Sequence, residues 1–148
     1  MVTILEHGGG EEAWRHFVDV FYGHCLTDPL LKPLFGAGKP EHVPHLTAFE
    51  VEAFGGPERF TEELGGMPHL IDVHRGLKIT EEQRQRFVDL YLASADEVGM
   101  PKDAPFREAL RTHVEFGTQV ARQNSHAETD EELHPLRTVP KWEWPDGA

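Results

Sequence analysis

The residue with the most instructive surroundings is His74. It closes the apolar run Met67-Pro68-His69-Leu70-Ile71-Asp72-Val73, which follows Gly65-Gly66, and it stands just before Thr80-Glu81-Glu82-Gln83. An imidazole among apolar neighbours suits the axial ligand of haem b. Such a group needs one neutral histidine on one side, an apolar slot for its ring, and a few polar groups on the other side. The chain carries candidates for each part. Val73, Leu77 and Ile79 brace His74, while Phe35, Leu46, Phe49 and Phe87 come from separate segments and can form walls. Tyr22 and His42 lie on two segments that can face the far side of the iron. A diatomic ligand there gathers partial negative charge, so the Tyr22 hydroxyl is a suitable donor. His42 adds a second donor if it turns inward and leaves a gate to solvent if it swings out.

Each candidate also has a plain structural reading. Tyr22 can be an ordinary core tyrosine, His42 an exposed residue at a helix start, and His74 a lone histidine of no chemical importance. His42, His45 and His69 can alternatively form a non-haem metal site in a helical protein. Helical di-iron sites, however, take carboxylates and histidines from several facing helices, and the chain has no repeated Glu-x-x-His. Cys25 follows His24, but neighbours in a helix point in different directions, which makes Cys25 a small buried apolar residue rather than a nucleophile. A third reading, a haem-less interaction module, stays open at this point.

The elements that must position these residues are helical. Trp14, Phe17, Val18, Phe21 and Cys25 recur at spacings of three and four, which predicts a helix over about 11–26 with Tyr22 at the margin of its apolar stripe. Asp28-Pro29 predicts the start of a short turn carrying Leu30, Leu31, Leu34 and Phe35. A further helix opens at Pro40-Glu41 with His42, Leu46, Phe49 and Ala53 on one face and His45 beside them. Residues 57–73, broken by Gly65-Gly66 and Pro68, read as a long and partly helical connection. Thr80-x-x-Gln83 is a capping box, and the helix it starts turns Phe87, Leu90, Tyr91, Ser94 and Val98 inward. Asp103 and Pro105 start a last long helix with Phe106, Leu110, Val114, Gly117 and Val120 inward. From about Ser125 the chain is acidic and proline-punctuated. That composition predicts a tail with few contacts, and Trp142 and Trp144 suggest that part of it packs back on this domain or on a neighbouring subunit.

Composition bounds the class. The 148 residues suffice for one domain with a real core, and 39% hydrophobic content without a long apolar run predicts no membrane span. A net charge of −12 argues against a nucleic-acid partner. A single cysteine and no signal-peptide pattern predict a reducing, cytoplasmic setting. The expected division is a globular domain over 1–124 and a tail over 125–148.

Taken together, Gly9-Gly10, Phe21-Tyr22, Asp28-Pro29-Leu30-Leu31 running to Phe35, Gly55-Gly56-Pro57, and His74 ahead of Ile79-Thr80 resemble the truncated haemoglobins, closest to their second group. The resemblance spans roughly residues 3–124. It implies an all-α, globin-like two-over-two helical sandwich with an extended C-terminal tail. It also implies a haem b protein that reversibly binds oxygen, carbon monoxide and nitric oxide. His74 matches the proximal iron ligand and Tyr22 the distal donor. Phe35 matches the aromatic on the haem face, His42 and Leu46 the distal positions, and His45 a basic position near a haem propionate. Phe87 departs from the pattern, because the second group usually places there a tryptophan whose indole donates to the ligand; phenylalanine keeps the wall and loses the bond. A peroxidase-like or nitric-oxide-detoxifying activity would need a separate reductase, since the chain shows no electron-donor domain. No oligomeric state is assigned.

Overall fold

A computed structural model of the chain describes residues 2–145. Every regular element among the described residues is helical. After a one-turn α1 (Ile4–His7) comes α2 (Glu11–Thr27), whose buried stripe is Trp14, Phe17, Val18, Phe21, Tyr22 and Cys25. The short α3 (Lys32–Phe35) leads into α4 (His42–Ala53). Two further short helices, α5 (Arg59–Glu63) and α6 (Gly66–His74), precede the long pair α7 (Glu81–Glu97) and α8 (Ala104–His126). Helix α2 packs on α4, α7 packs on α8, and α2 meets α7, so two helix pairs lie one over the other. Helix α6 leans on α8 from the side, which brings the end of α6 into the sandwich.

Aromatic rings fill the interface between the pairs. Phe17 and Phe21 on α2 meet the Tyr91 ring of α7 edge-on, with centroids 4.9 and 5.4 Å apart. Trp14 is fully buried, and its indole N–H is satisfied by the Leu5 carbonyl at 3.0 Å. The helix starts follow their sequence signals. Thr80 Oγ1 accepts from the Gln83 amide and the Gln83 side chain accepts from the Thr80 amide, both at 3.0 Å. The Gln83 side-chain amide then reaches the Leu30 carbonyl at 3.2 Å, tying α7 to the turn after α2. Asp103 caps α8 by accepting from the Phe106 amide at 3.3 Å.

The structure corrects three expectations. The connection over 57–73 is two helices, and His74 is the last residue of a nine-residue helix. Gly65 and Gly66 hold φ of 95° and 58°, a left-handed corner that starts α6 and is open to glycine at little cost. Asp28 opens the expected turn: its carboxylate accepts from the Leu30 and Leu31 amides, and α3 begins at Lys32. The inward face of α7 includes Val88 and Ala95, while Leu90 and Val98 are half-buried. The segment after α8 is also far from contact-poor. Trp142 donates its backbone N–H to the Ala53 carbonyl at 2.8 Å, Trp144 donates its indole to the Val2 carbonyl at 2.9 Å, and Val139 is buried. Both tryptophans therefore pack on this domain.

Candidate functional site

One cavity of about 400 Å³ lies between α4, α6, α7 and α8, and its lining is mostly apolar. Tyr22, Phe35, His42, His45, Leu46, Phe49, Val73, His74, Leu77 and Phe87 all face it. The fold thus gathers every sequence-predicted site residue around one space. Val73 and Leu77 are half-exposed and flank His74 in sequence.

His74 enters from the end of α6. Its Nδ1 lies 2.9 Å from the Leu70 carbonyl oxygen, one turn back. A carbonyl only accepts, so Nδ1 carries the proton and Nε2 keeps a free lone pair. Burial pulls the imidazole below its ordinary pKa of 6.5, against the opposing pull of the Leu70 bond, and so favours the neutral form. The chain just beyond His74 is clamped to the end of α8. The Gly76 and Lys78 amides donate to the Ser125 carbonyl at 3.1 and 3.2 Å, and the Ile79 amide donates to Ser125 Oγ at 3.0 Å. Lys78 has φ 56°, a left-handed conformation costing about 1–2 kcal/mol for a side chain-bearing residue, and these bonds hold it there.

A phenol–imidazole pair lines another part of the wall. The Tyr22 hydroxyl is hydrogen-bonded to His42 Nδ1 and accepts from the Lys39 amide at 3.3 Å. The roles in this bond follow the tautomer of His42: with its proton on Nε2 the hydroxyl donates to Nδ1, and with its proton on Nδ1 the hydroxyl accepts. Burial raises the Tyr22 pKa and lowers that of His42, so both are neutral near pH 7. The close approach needs Gly38: a Cβ there would fall 2.8 Å from the Tyr22 oxygen, and φ is 82°. Phe35 stacks on Phe87 at 6.5 Å with planes 10° apart, and Phe87 meets Phe21 edge-on at 4.8 Å. This aromatic wall offers no hydrogen-bond donor at Phe87.

His45 and His69 pair at the cavity edge with ring centroids 5.9 Å apart. Among the described residues no group of three or more His, Cys, Asp or Glu side chains is placed to hold a metal ion. The structure therefore does not assemble His42, His45 and His69 as a non-haem site.

Sequence reasoning missed a second polar group in the cavity wall. Glu50 on α4 and His113 on α8 are 3% and 4% exposed, and His113 Nε2 lies 2.6 Å from Glu50 Oε2. The Tyr91 hydroxyl donates to the same oxygen at 3.4 Å, and Trp142 Nε1 donates to His113 Nδ1 at 2.8 Å. Burial, followed by the Glu50 charge, pushes the Tyr91 phenol well above its ordinary pKa. One signal was present: His113 stands between Leu110 and Val114 on the inward stripe of its helix.

The sequence matches the bacterial-like globin family over residues 3–130. It is 31% identical over 119 residues to the group 2 truncated hemoglobin YjbI of Bacillus subtilis (strain 168), covering 80% of this chain and 88% of that protein. The fold superposes on the crystal structure of the group II truncated hemoglobin from Bacillus anthracis with a TM-score of 0.74 at 27% identity, covering 88% of this chain and 98% of the other. The hemoglobin of the thermophilic phototroph Chloroflexus aurantiacus gives a TM-score of 0.72 at 31% identity, over 82% of this chain and 98% of the other.

Proposed function

The chain belongs to the bacterial-like globin family and resembles the second group of truncated haemoglobins, and on that premise we propose that it is a haem b protein that reversibly takes up a diatomic gas. The observation that carries this reading is that one mostly apolar cavity is lined both by an imidazole with a free Nε2 and by the hydrogen-bonded Tyr22–His42 pair. These residues fit the group: one neutral nitrogen for an axial bond, aromatic and aliphatic walls for a flat ring, and few charges inside. Bound haem supplies an iron that accepts oxygen, carbon monoxide or nitric oxide.

In this reading His74 would hold the iron through Nε2, with the Leu70 carbonyl fixing its tautomer and raising the electron density of that nitrogen. Phe35, Leu46, Phe49 and Phe87 exclude water from the ring, with Val73 and Leu77 beside His74. Tyr22 is the donor toward the ligand, oriented by the Lys39 amide. The His42 tautomer sets whether the hydroxyl proton is free for a ligand or held by Nδ1. His45, with Lys39 nearby, provides basic groups for the ring's carboxylates.

The purified protein is expected to be coloured, with an intense haem band that shifts when carbon monoxide is added to the reduced form. Colourless protein that also fails to take up added haemin overturns the proposal.

A further inference from the structure

The segment after α8 reaches back along the cavity. Leu136 and Pro140 line the cavity, and Trp142 then makes its two hydrogen bonds, through the backbone to Ala53 at the end of α4 and through the indole to His113 Nδ1. The indole also meets the rings of His113 and Phe116 edge-on, at 6.2 and 5.8 Å.

The indole bond decides the protonation state of His113. An indole N–H donates and never accepts, so Nδ1 must present a lone pair to it. The single proton of the ring is then on Nε2, aimed at Glu50 Oε2 at 2.6 Å. With Trp142 docked, His113 is therefore neutral and Glu50 is held by two donors, His113 and Tyr91. An imidazolium at 113 would satisfy the Glu50 charge better, because opposite charges 2.6 Å apart in a dry site attract strongly. It would also place an N–H against the indole N–H and break that contact.

We propose that the segment after α8 is a proton-operated latch on the cavity. Trp142 docks while His113 Nδ1 is free, and it is released when a proton takes that nitrogen. The two events exclude each other, so lowering the pH favours the released segment and a cavity whose wall at Leu136 and Pro140 has opened. The titratable groups facing His113 are Glu50 from α4 and Tyr91 from α7, and the segment itself presents only the indole. Next to Trp142, the exposed Lys141–Glu58 ion pair gives a second, weaker hold.

The test follows the indole N–H resonances of ¹⁵N-labelled, carbon monoxide-saturated ferrous protein from about pH 8 to about pH 5, the range in which histidines titrate. Trp142→Phe assigns the resonance. On acidification the Trp142 signal is expected to lose its hydrogen-bonded shift and to exchange with solvent. The Trp14 indole, bonded to the Leu5 carbonyl, is expected to stay put. His113→Gln, which does not titrate, should abolish the response. A Trp142 signal that is unmoved across the range, or that moves equally in His113→Gln, overturns the latch. Should His113→Gln fail to fold, carbon monoxide association after flash photolysis decides. It should quicken on acidification in the unmodified protein and be fast at every pH in Trp142→Phe; equal pH dependence in both overturns the latch. Failure of the haem reading shows as colourless protein without a carbon monoxide band, and failure of the latch as an unmoved Trp142 signal in coloured protein, so the two are separable.

Discussion

His74 Nδ1 lies 2.9 Å from the Leu70 carbonyl oxygen, within the same short helix that presents the imidazole. The imidazole and the group that fixes its tautomer therefore move as one rigid piece. His42, by contrast, spends its Nδ1 on the Tyr22 hydroxyl.

The two histidines should therefore separate cleanly on mutation. His74→Ala is expected to lose stoichiometric haem or to hold it loosely, while His42→Ala keeps it with an altered ligand-side spectrum. Absorption spectra and haem transfer to an acceptor globin check this; the reverse pattern refutes the axial assignment.

Tyr22→Phe removes the donor and leaves the Lys39 amide without its acceptor. Oxygen release should accelerate by the loss of a hydrogen bond to a charged acceptor, about 1.5–3 kcal/mol, or roughly tenfold or more. Stopped-flow displacement by carbon monoxide measures it, and an unchanged rate assigns the donor role elsewhere.

Phe87→Trp tests the departure of this chain from its relatives. The indole brings an N–H donor to the wall, so oxygen release should slow. The larger ring must also fit between Phe21 and Phe35, and overpacking should lower stability by about 1–3 kcal/mol. Oxygen dissociation and thermal melts of the same variant give both numbers.

Ser125→Ala leaves the buried Ile79 amide without a partner. A loss of about 1–3 kcal/mol in stability is expected from urea unfolding, along with faster haem loss. Substitution at the exposed Glu128 should do neither.

Cys25 gives a pH prediction with a definite sign. Burial, followed by the nearby Asp28 charge, pushes its thiol from 9.0 up to about 12. Its contribution to stability is complete below pH 9.0 and is lost as pH rises from there toward about 12, where the folded thiol ionises. At pH near 8 the native protein should resist disulfide-exchange reagents that label one thiol once the chain is unfolded. Rapid labelling of native protein contradicts this.

Legibility in the sequence followed how local each cause was. The start of α7 was readable because Thr80 and Gln83 cap each other within one turn, and α2 because its aromatic stripe repeats without interruption. Helix α6 was not, since Gly65, Gly66 and Pro68 look like breakers until the left-handed corner they build is seen. The burial of Glu50 and Glu52 has no local signature in the sequence. Their burial depends on partners distant in sequence, with His113 holding Glu50 and Thr61 holding Glu52. Trp142 was legible as a residue that must pack on something, but its partner His113 was not. The cavity lining was legible through the resemblance to the truncated haemoglobins, since residue types alone left His74 and Tyr22 with plain structural readings.

The brevity of α6 has a further consequence. Nine residues fall short of the roughly 12–15 that an isolated helix needs to hold itself together in water. Its order must come from α8, from the clamp at Ser125 and, in the proposed haem protein, from the group His74 holds. In hydrogen-exchange terms, stripping the haem should leave α7 and α8 protected while the amides of α6 exchange as one cooperative unit. Loading the cofactor and folding the helix that holds it would then be a single event.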